Sequence, residues 1–329
     1  MSNDLTMQGT RRTLQDFRGD YPALADLVQC SWAENSQQGL CYSPEFLQSF
    51  LTSPGSSPSL APALYQDDKL IGFASGFTRN VEYRAHRLRL FTSSFLSVLP
   101  EFKKYGYGIV LWNELVKRAR VAGFHGMLNF CVEGEPMNRM VEGASRRLKL
   151  PVQRIFSVRY MSALLKPHTA APVCAVSPEA INDFLDLTAP LLSSQPLARQ
   201  WTQEEAEWQC LRRTAAVCAH ARHDSRRGIL TGYVTSILDR DRTKCLIVED
   251  ILWSDLYPDE RLTLLRQLLA QASALGAKMA TVPVLGYADL APFKKARFFP
   301  TRRILHCYLV LFEENIPLET LPSMYVDVF

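Results

Sequence analysis

The amino-acid sequence predicts an α/β protein made of two copies of one domain, each a mixed central β-sheet flanked by helices. Three observations predict it. The chain has 329 residues, enough for two domains at roughly 150 residues each. Five features recur in the same order in its two halves. In the first half a strand passes through a glycine-bearing turn, Lys103 to Gly108, directly into an amphipathic helix.

The repeat opens with Leu70-Ile71-Gly72-Phe73, heading an extended run to Thr78, and with Leu230-Thr231-Gly232-Tyr233, heading a run to Leu238. The β-rich runs Leu88 to Val98 and Cys245 to Trp253 come next, poor in Gly and Pro as central strands are. Each leads to a helix with apolar residues three and four apart. Ile109, Leu111, Trp112, Leu115 and Val116 mark the first, and Leu262, Leu265, Leu268, Leu269 and Ala272 the second. Both helices close at a glycine, Gly123 or Gly276, where a left-handed cap costs least. Strands Met127 to Val132 and Met279 to Val284 follow. Pro151-Val-Gln-Arg154-Ile155 and Pro300-Thr-Arg-Arg303-Ile304 then lead final strands that end in bulky apolar residues. The predicted domains are residues 1–166 and 177–329, joined by the Pro/Ala-rich linker 167–176.

Composition narrows the function. Hydrophobic residues are 47% and charged residues 21%, which excludes a mainly disordered chain. The net charge of +4 comes from 37 basic residues dispersed among 33 acids, so no nucleic-acid partner is expected. Eight cysteines form no C-x-x-C pair and have no histidine at metal-ligand spacing, so they read as reduced thiols with no metal. Cys131, Cys245 and Cys307 lie in apolar strands as small hydrophobes. The opening Met1-Ser-Asn-Asp-Leu-Thr-Met is no apolar leader, and no run of about 18 apolar residues occurs. No membrane association and a cytoplasmic location are therefore expected.

The turn Lys103-Lys104-Tyr105-Gly106-Tyr107-Gly108 has the parts of an anion site. Glycines let backbone N–H groups approach a ligand, and the helix start favours negative charge. Lys103 and Lys104 add charge. The spacing is neither that of a nucleoside-triphosphate loop nor that of a dinucleotide fold. On residues alone, an ordinary strand-to-helix connection is the competing reading.

This stretch resembles the [Arg/Gln]-x-x-Gly-x-[Gly/Ala] signature of the GNAT superfamily of acyl-CoA-dependent N-acyltransferases, with Val98 five residues before Lys103 and Lys in the first position. The resemblance covers residues 60–165 and, without the signature, 225–312. It implies a tandem GNAT fold whose second copy is degenerate. It also implies acetyl-CoA or another acyl-CoA as co-substrate, held at Val98, Leu99, Lys103, Lys104, Tyr105, Gly106, Tyr107, Gly108 and Asn138. A backbone N–H near Val98 or Leu99 would hold the oxyanion. Ser145 stands seven residues after Asn138, where the family has Tyr.

Acyl transfer to an amine needs a neutral nitrogen, hence a base. Thr92 stands where one branch of the family has a catalytic Glu. Glu133, five residues before Asn138, stands where another branch has its base; the competing reading is a solvated carboxylate at a strand end. Thr92 and Ser94 share a strand face, where they either meet the thioester or bond to neighbouring strands. Lys117, Arg118 and Arg120 read as a basic helix end, and His125 as a turn residue.

In the second half, Trp253-Ser-Asp255-Leu-Tyr-Pro-Asp259-Glu260-Arg261 has no Gly and three acids, which would repel a pyrophosphate. Phe293 stands where the family's closing motif has Tyr. Glu249 and Asp250 read either as an acceptor-amine site or as a carboxylate pair between strands or at a rim. The expected function is N-acyl transfer to a small-molecule or peptide amine by direct attack in a ternary complex, in a monomer or homodimer. Two alternatives stand beside it: a non-catalytic acyl-CoA sensor, and a GNAT-like thioester decarboxylase or S-acyltransferase.

Overall fold

The computed structural model describes residues 3–7, 10–33, 39–166, 178–238, 242–313 and 316–328. The expected linker 167–176 lies outside them. The elements run β1 (Asn3–Met7), β2 (Thr10–Asp16), α1 (Tyr21–Ala33), β3 (Gly39–Cys41), α2 (Pro44–Leu51), β4 (Pro62–Gln66), β5 (Lys69–Tyr83) and β6 (His86–Val98). Then come α3 (Tyr107–Val121), β7 (Gly126–Val132), α4 (Pro136–Arg147), β8 (Val152–Leu164), α5 (Pro178–Ser194), β9 (Leu197–Gln200) and α6 (Gln203–Glu207). The remainder is β10 (Ala216–His223), β11 (Arg226–Leu238), β12 (Arg242–Leu252), α7 (Pro258–Ala274), β13 (Met279–Val284), α8 (Ala291–Lys295) and β14 (Phe299–Leu311).

The repeated features all form as regular structure. β6 runs parallel to β7, and β12 parallel to β13, each pair joined by a helix as a parallel crossover requires. Gly123 and Gly276 adopt φ of +73° and +85° just after α3 and α7.

The chain forms two compact units. The first holds residues 1–79, 88–155 and 306–320, and the second holds 80–87, 156–305 and 321–329. The long strands β8 and β14 therefore each belong to both: β8 passes to the second unit after Ile155, and β14 passes to the first from His306. Strand pairing runs β1-β2-β4-β5-β6-β7-β14-β8-β13-β12-β11-β10 in one mixed sheet. This corrects the expectation of two separate central sheets. Each repeat ends in a strand long enough to continue past its own domain, and nothing in a local pattern marks where such a strand changes partners.

In the first unit, α3 buries Leu111, Trp112, Leu115 and Ala119 completely against Ile71, Phe91, Met127 and Val310. Each leucine contributes about 1.5–3 kcal/mol by leaving water, which fixes the helix start relative to the end of β6. In the second unit, α7 does the same with Leu264, Leu265 and Leu268 against Leu230, Leu246 and Val282.

Candidate functional site

The end of β6 and the start of α3 are joined by a 3-10 turn, Pro100–Tyr105, which the sequence pattern did not show. Pro100 begins it, where a missing N–H costs nothing. Gly106, at φ +74°, ends the turn and starts α3. That left-handed backbone is what the first glycine of the motif supplies.

Ile109 and Val110 donate back to the Gly106 carbonyl. The N–H groups of Tyr107 and Gly108 have no acceptor among the described residues. No acid lies in the first turn of α3 and no side chain caps it. A Cβ on Gly106 would meet nothing within 4 Å, and one on Gly108 only Met140 Sδ at 3.9 Å. Free amides, open space and a positive helix end are what a pyrophosphate requires, so these residues fit the group.

The flanking side chains are less uniform than the motif suggested. Lys103 Nζ donates to the Ser31 carbonyl at 2.9 Å, tying the turn to α1. Lys104 lies over the Tyr105 ring at 5.2 Å. Tyr105 is half exposed, whereas Tyr107 is buried, its hydroxyl accepting from Arg12. Arg12 also faces the Phe102, Tyr105 and Tyr107 rings at 5.9, 5.4 and 5.6 Å. Nothing in the sequence pattern pointed to Arg12.

Neither amide expected to face an oxyanion is open. Val98 N–H donates to Ser31 Oγ at 3.2 Å, and Leu99 N–H to the Ile71 carbonyl at 3.0 Å. In place of open amides, the end of β6 holds unpartnered hydroxyls: the buried oxygens of Thr92, Ser94 and Ser97 have no hydrogen-bond partner among the described residues. Phe95, at φ +54°, breaks the strand's alternation just after Ser94. Its ring packs with Trp32, Tyr42, Phe50 and Phe77. On β7, Asn129 lies opposite Ser93, buried with both amide atoms unpartnered. Unsatisfied buried groups of this kind mark where a ligand or water completes the bonding. A lone Asn in the apolar run Met127 to Val132 was the signal for it.

Glu133 lies just past β7, its side chain 56% exposed, with Oε1 3.4 Å from Nε2 of His306. Arg154 Nη1 is 3.5 Å from the same nitrogen. Burial, and then Arg154, push the His306 imidazole below its usual range, while Glu133 opposes both. Two residues along β14, Tyr308 donates to Glu142 Oε1 at 3.2 Å. Burial and the Glu142 charge push its phenol up to about 12. Asn138 Nδ2 donates to the carbonyls of Val132 at 2.6 Å and Glu135 at 3.1 Å, fastening α4 to the exit of β7, while its buried Oδ1 has no partner. Ser145 is fully buried. His306 and Tyr308 escaped the sequence reading, although polar residues two apart in an apolar strand share a face.

The second unit differs at both corresponding places. At the start of α7, the Glu260 carboxylate accepts from Tyr257 N–H at 2.8 Å and pairs with Arg226 at 2.9 Å. Those bonds hold it down at about 2. Glu249 and Asp250 form no rim; they are buried in a network that leaves only Glu249 Oε1, of their carboxylate oxygens, without a partner among the described residues. Gln209 bonds both, Arg213 pairs with Glu249, and Thr231 and Tyr325 donate to Asp250. Phe293 is packed on Trp253 and Phe298.

Residues 21–141 match the family model described as the acetyltransferase (GNAT) family. No curated protein matches the chain in sequence. In fold it is similar to Saccharomyces cerevisiae N-myristoyltransferase with bound myristoyl-CoA, with a TM-score of 0.72 at 14% identity over 93% of this chain and 84% of that one. A second structure of that yeast protein, with myristoyl-CoA and inhibitors, gives a TM-score of 0.71 at 14% identity over 93% and 81%. A Pyrococcus horikoshii protein assigned as an acetyltransferase gives 0.54 at 11% identity over 98% and 96%. At such identities the likeness is one of fold.

Proposed function

From the match of residues 21–141 to the GNAT acetyltransferase family we propose that the protein transfers an acyl group from acyl-CoA to an amine. One observation carries the reading: the open amides of Tyr107 and Gly108 behind the left-handed Gly106. Tyr107 and Gly108 hold the pyrophosphate through backbone donors, set in place by Gly106, whose own N–H is bonded to the Lys103 carbonyl, with Lys104 at the rim. Acyl-CoA supplies an activated thioester. The unpartnered hydroxyls of Thr92, Ser94 and Ser97 line its approach. Glu133, exposed at the exit of β7, removes the proton that makes the amine a nucleophile. Asn138 holds the helix that follows, which fixes where that carboxylate stands.

The acceptor is a small-molecule or peptide amine. Acetyl is the acyl group of the matched family, and the fold likeness to proteins that bind myristoyl-CoA puts a long chain beside it. A non-catalytic acyl-CoA binder is favoured by a different observation, the engaged amides of Val98 and Leu99.

Thiol release from acetyl-CoA and myristoyl-CoA, with and without a panel of small amines and peptides, tests the proposal. Amine-dependent release is expected. Binding without release supports the sensor, and carbon dioxide from malonyl-CoA supports a decarboxylase.

A further inference from the structure

Glu133 does not act alone. Arg154 carries only donors, and its Nη1 stands 3.5 Å from His306 Nε2, a placement that favours the tautomer with a lone pair on that nitrogen. The same nitrogen faces Glu133 Oε1 at 3.4 Å. Once the carboxylate has received a proton, the two are complementary, so the ring is placed to take that proton from Glu133. The side chain of His306 is 9% exposed and that of Glu133 56%, so an acceptor amine reaches the carboxylate and not the ring.

We propose that His306, brought into the first unit by β14, is the positioning and proton-relay residue of this site; the inference rests on the acyltransferase reading above. As the amine nitrogen bonds to the thioester carbon, its N–H bond breaks and the Glu133 O–H bond forms; the C–S bond then breaks and coenzyme A leaves as its thiolate. That O–H bond then breaks as Nε2–H forms, and the imidazolium returns its proton to water. No electrons change hands. Among the groups facing the ring are Glu133 past the exit of β7, Arg154 on β8 and Tyr308 on its own strand, whose ring centroid is 6.5 Å away. Burial and Arg154 keep the ring neutral and ready to accept.

The test uses the full chain, acetyl-CoA and whichever amine supports thiol release, with rates followed against pH. His306→Gln keeps a polar side chain and loses the relay. Its kcat is expected to fall about 10²-fold near neutral pH with KM for acetyl-CoA unchanged. The deficit should shrink about tenfold per pH unit as solvent deprotonates the amine. A deficit equal at every pH, or none, overturns the proposal. Arg154→Gln, at an exposed position, carries the test if His306→Gln does not fold. Removing that charge raises the imidazole's proton affinity, so the acid limb should move to higher pH; a limb that stays overturns the relay. Failure of the unaltered protein to release thiol with any amine overturns the acyltransferase reading and this inference with it, an outcome distinct from the others.

Discussion

Glu260 accepts the backbone N–H of Tyr257 at 2.8 Å and so closes the start of α7, the position at which α3 leaves Tyr107 and Gly108 open. Two copies of one turn have taken opposite electrostatic solutions. In α7 the helix dipole is compensated by a side chain of the chain itself; in α3 no side chain compensates it. Glu260→Ala should lower the melting temperature while acetyl-CoA affinity stays unchanged. Because the Glu260 carboxyl is depressed to about 2, its contribution is present above the ordinary carboxylate range. It is lost as pH falls through that low value. The difference in melting temperature between wild type and variant should therefore narrow on acidification, as calorimetry from neutral to strongly acid buffer can show.

Gly106 tests the open copy. Its φ of +74° is what a side chain resists, since nothing crowds the space a Cβ would take. Holding a non-glycine residue in that region costs about 1–3 kcal/mol, most for a β-branched one. Gly106→Val should relax the turn, rotate the Tyr107 and Gly108 amides away and weaken coenzyme A binding about tenfold or more. Titration calorimetry with coenzyme A measures it; unchanged affinity would place the pyrophosphate elsewhere.

That loop was legible because its demands are local: a turn needing φ above zero, and a helix start without acids. The repeated strands and helices were legible for the same reason, each being set by a period within its own segment. What the pattern did not show is non-local. Arg12 is 91 residues from Lys103 in sequence, and His306 reaches Glu133 only because β14 enters the first unit. The Glu249–Asp250 pair was visible, yet its role was decided by Arg213, Gln209 and Tyr325, whose approach no periodicity encodes.

Glu133→Gln keeps the shape of the side chain and removes its basicity. Turnover should fall about 10²- to 10⁴-fold, the usual worth of a general base, with coenzyme A affinity unaltered because no contact to the turn is lost. Single-turnover thiol release separates the two quantities. Unchanged turnover would remove Glu133 from the mechanism.

Arg213 and Glu249 form a buried ion pair in the second unit. Arg213→Leu strands a carboxylate away from water, and breaking such a pair costs about 3–5 kcal/mol. Denaturant melts should show it. Its neighbour Asp250 has its carboxyl raised by burial, against the donors Thr231, Gln209 and Tyr325. A raised group contributes stability fully present below the ordinary Asp range and lost as pH rises through the folded value. Asp250→Asn should flatten that decline, so the variant gains on wild type as pH increases.

Gly126 begins β7 directly against β14, where a Cβ would stand 2.3 Å from the Val310 carbonyl. The clash is with backbone, so no rotamer change relieves it, and overpacking of this kind costs about 1–3 kcal/mol. The strand that must yield also carries His306 and Tyr308. Gly126→Ala should therefore lower both stability and amine-dependent turnover, whereas coenzyme A binding at Gly106 to Gly108, held by α3, should persist. Loss of binding equal to the loss of turnover would mean that the turn depends on β14 as much as the proton-handling groups do.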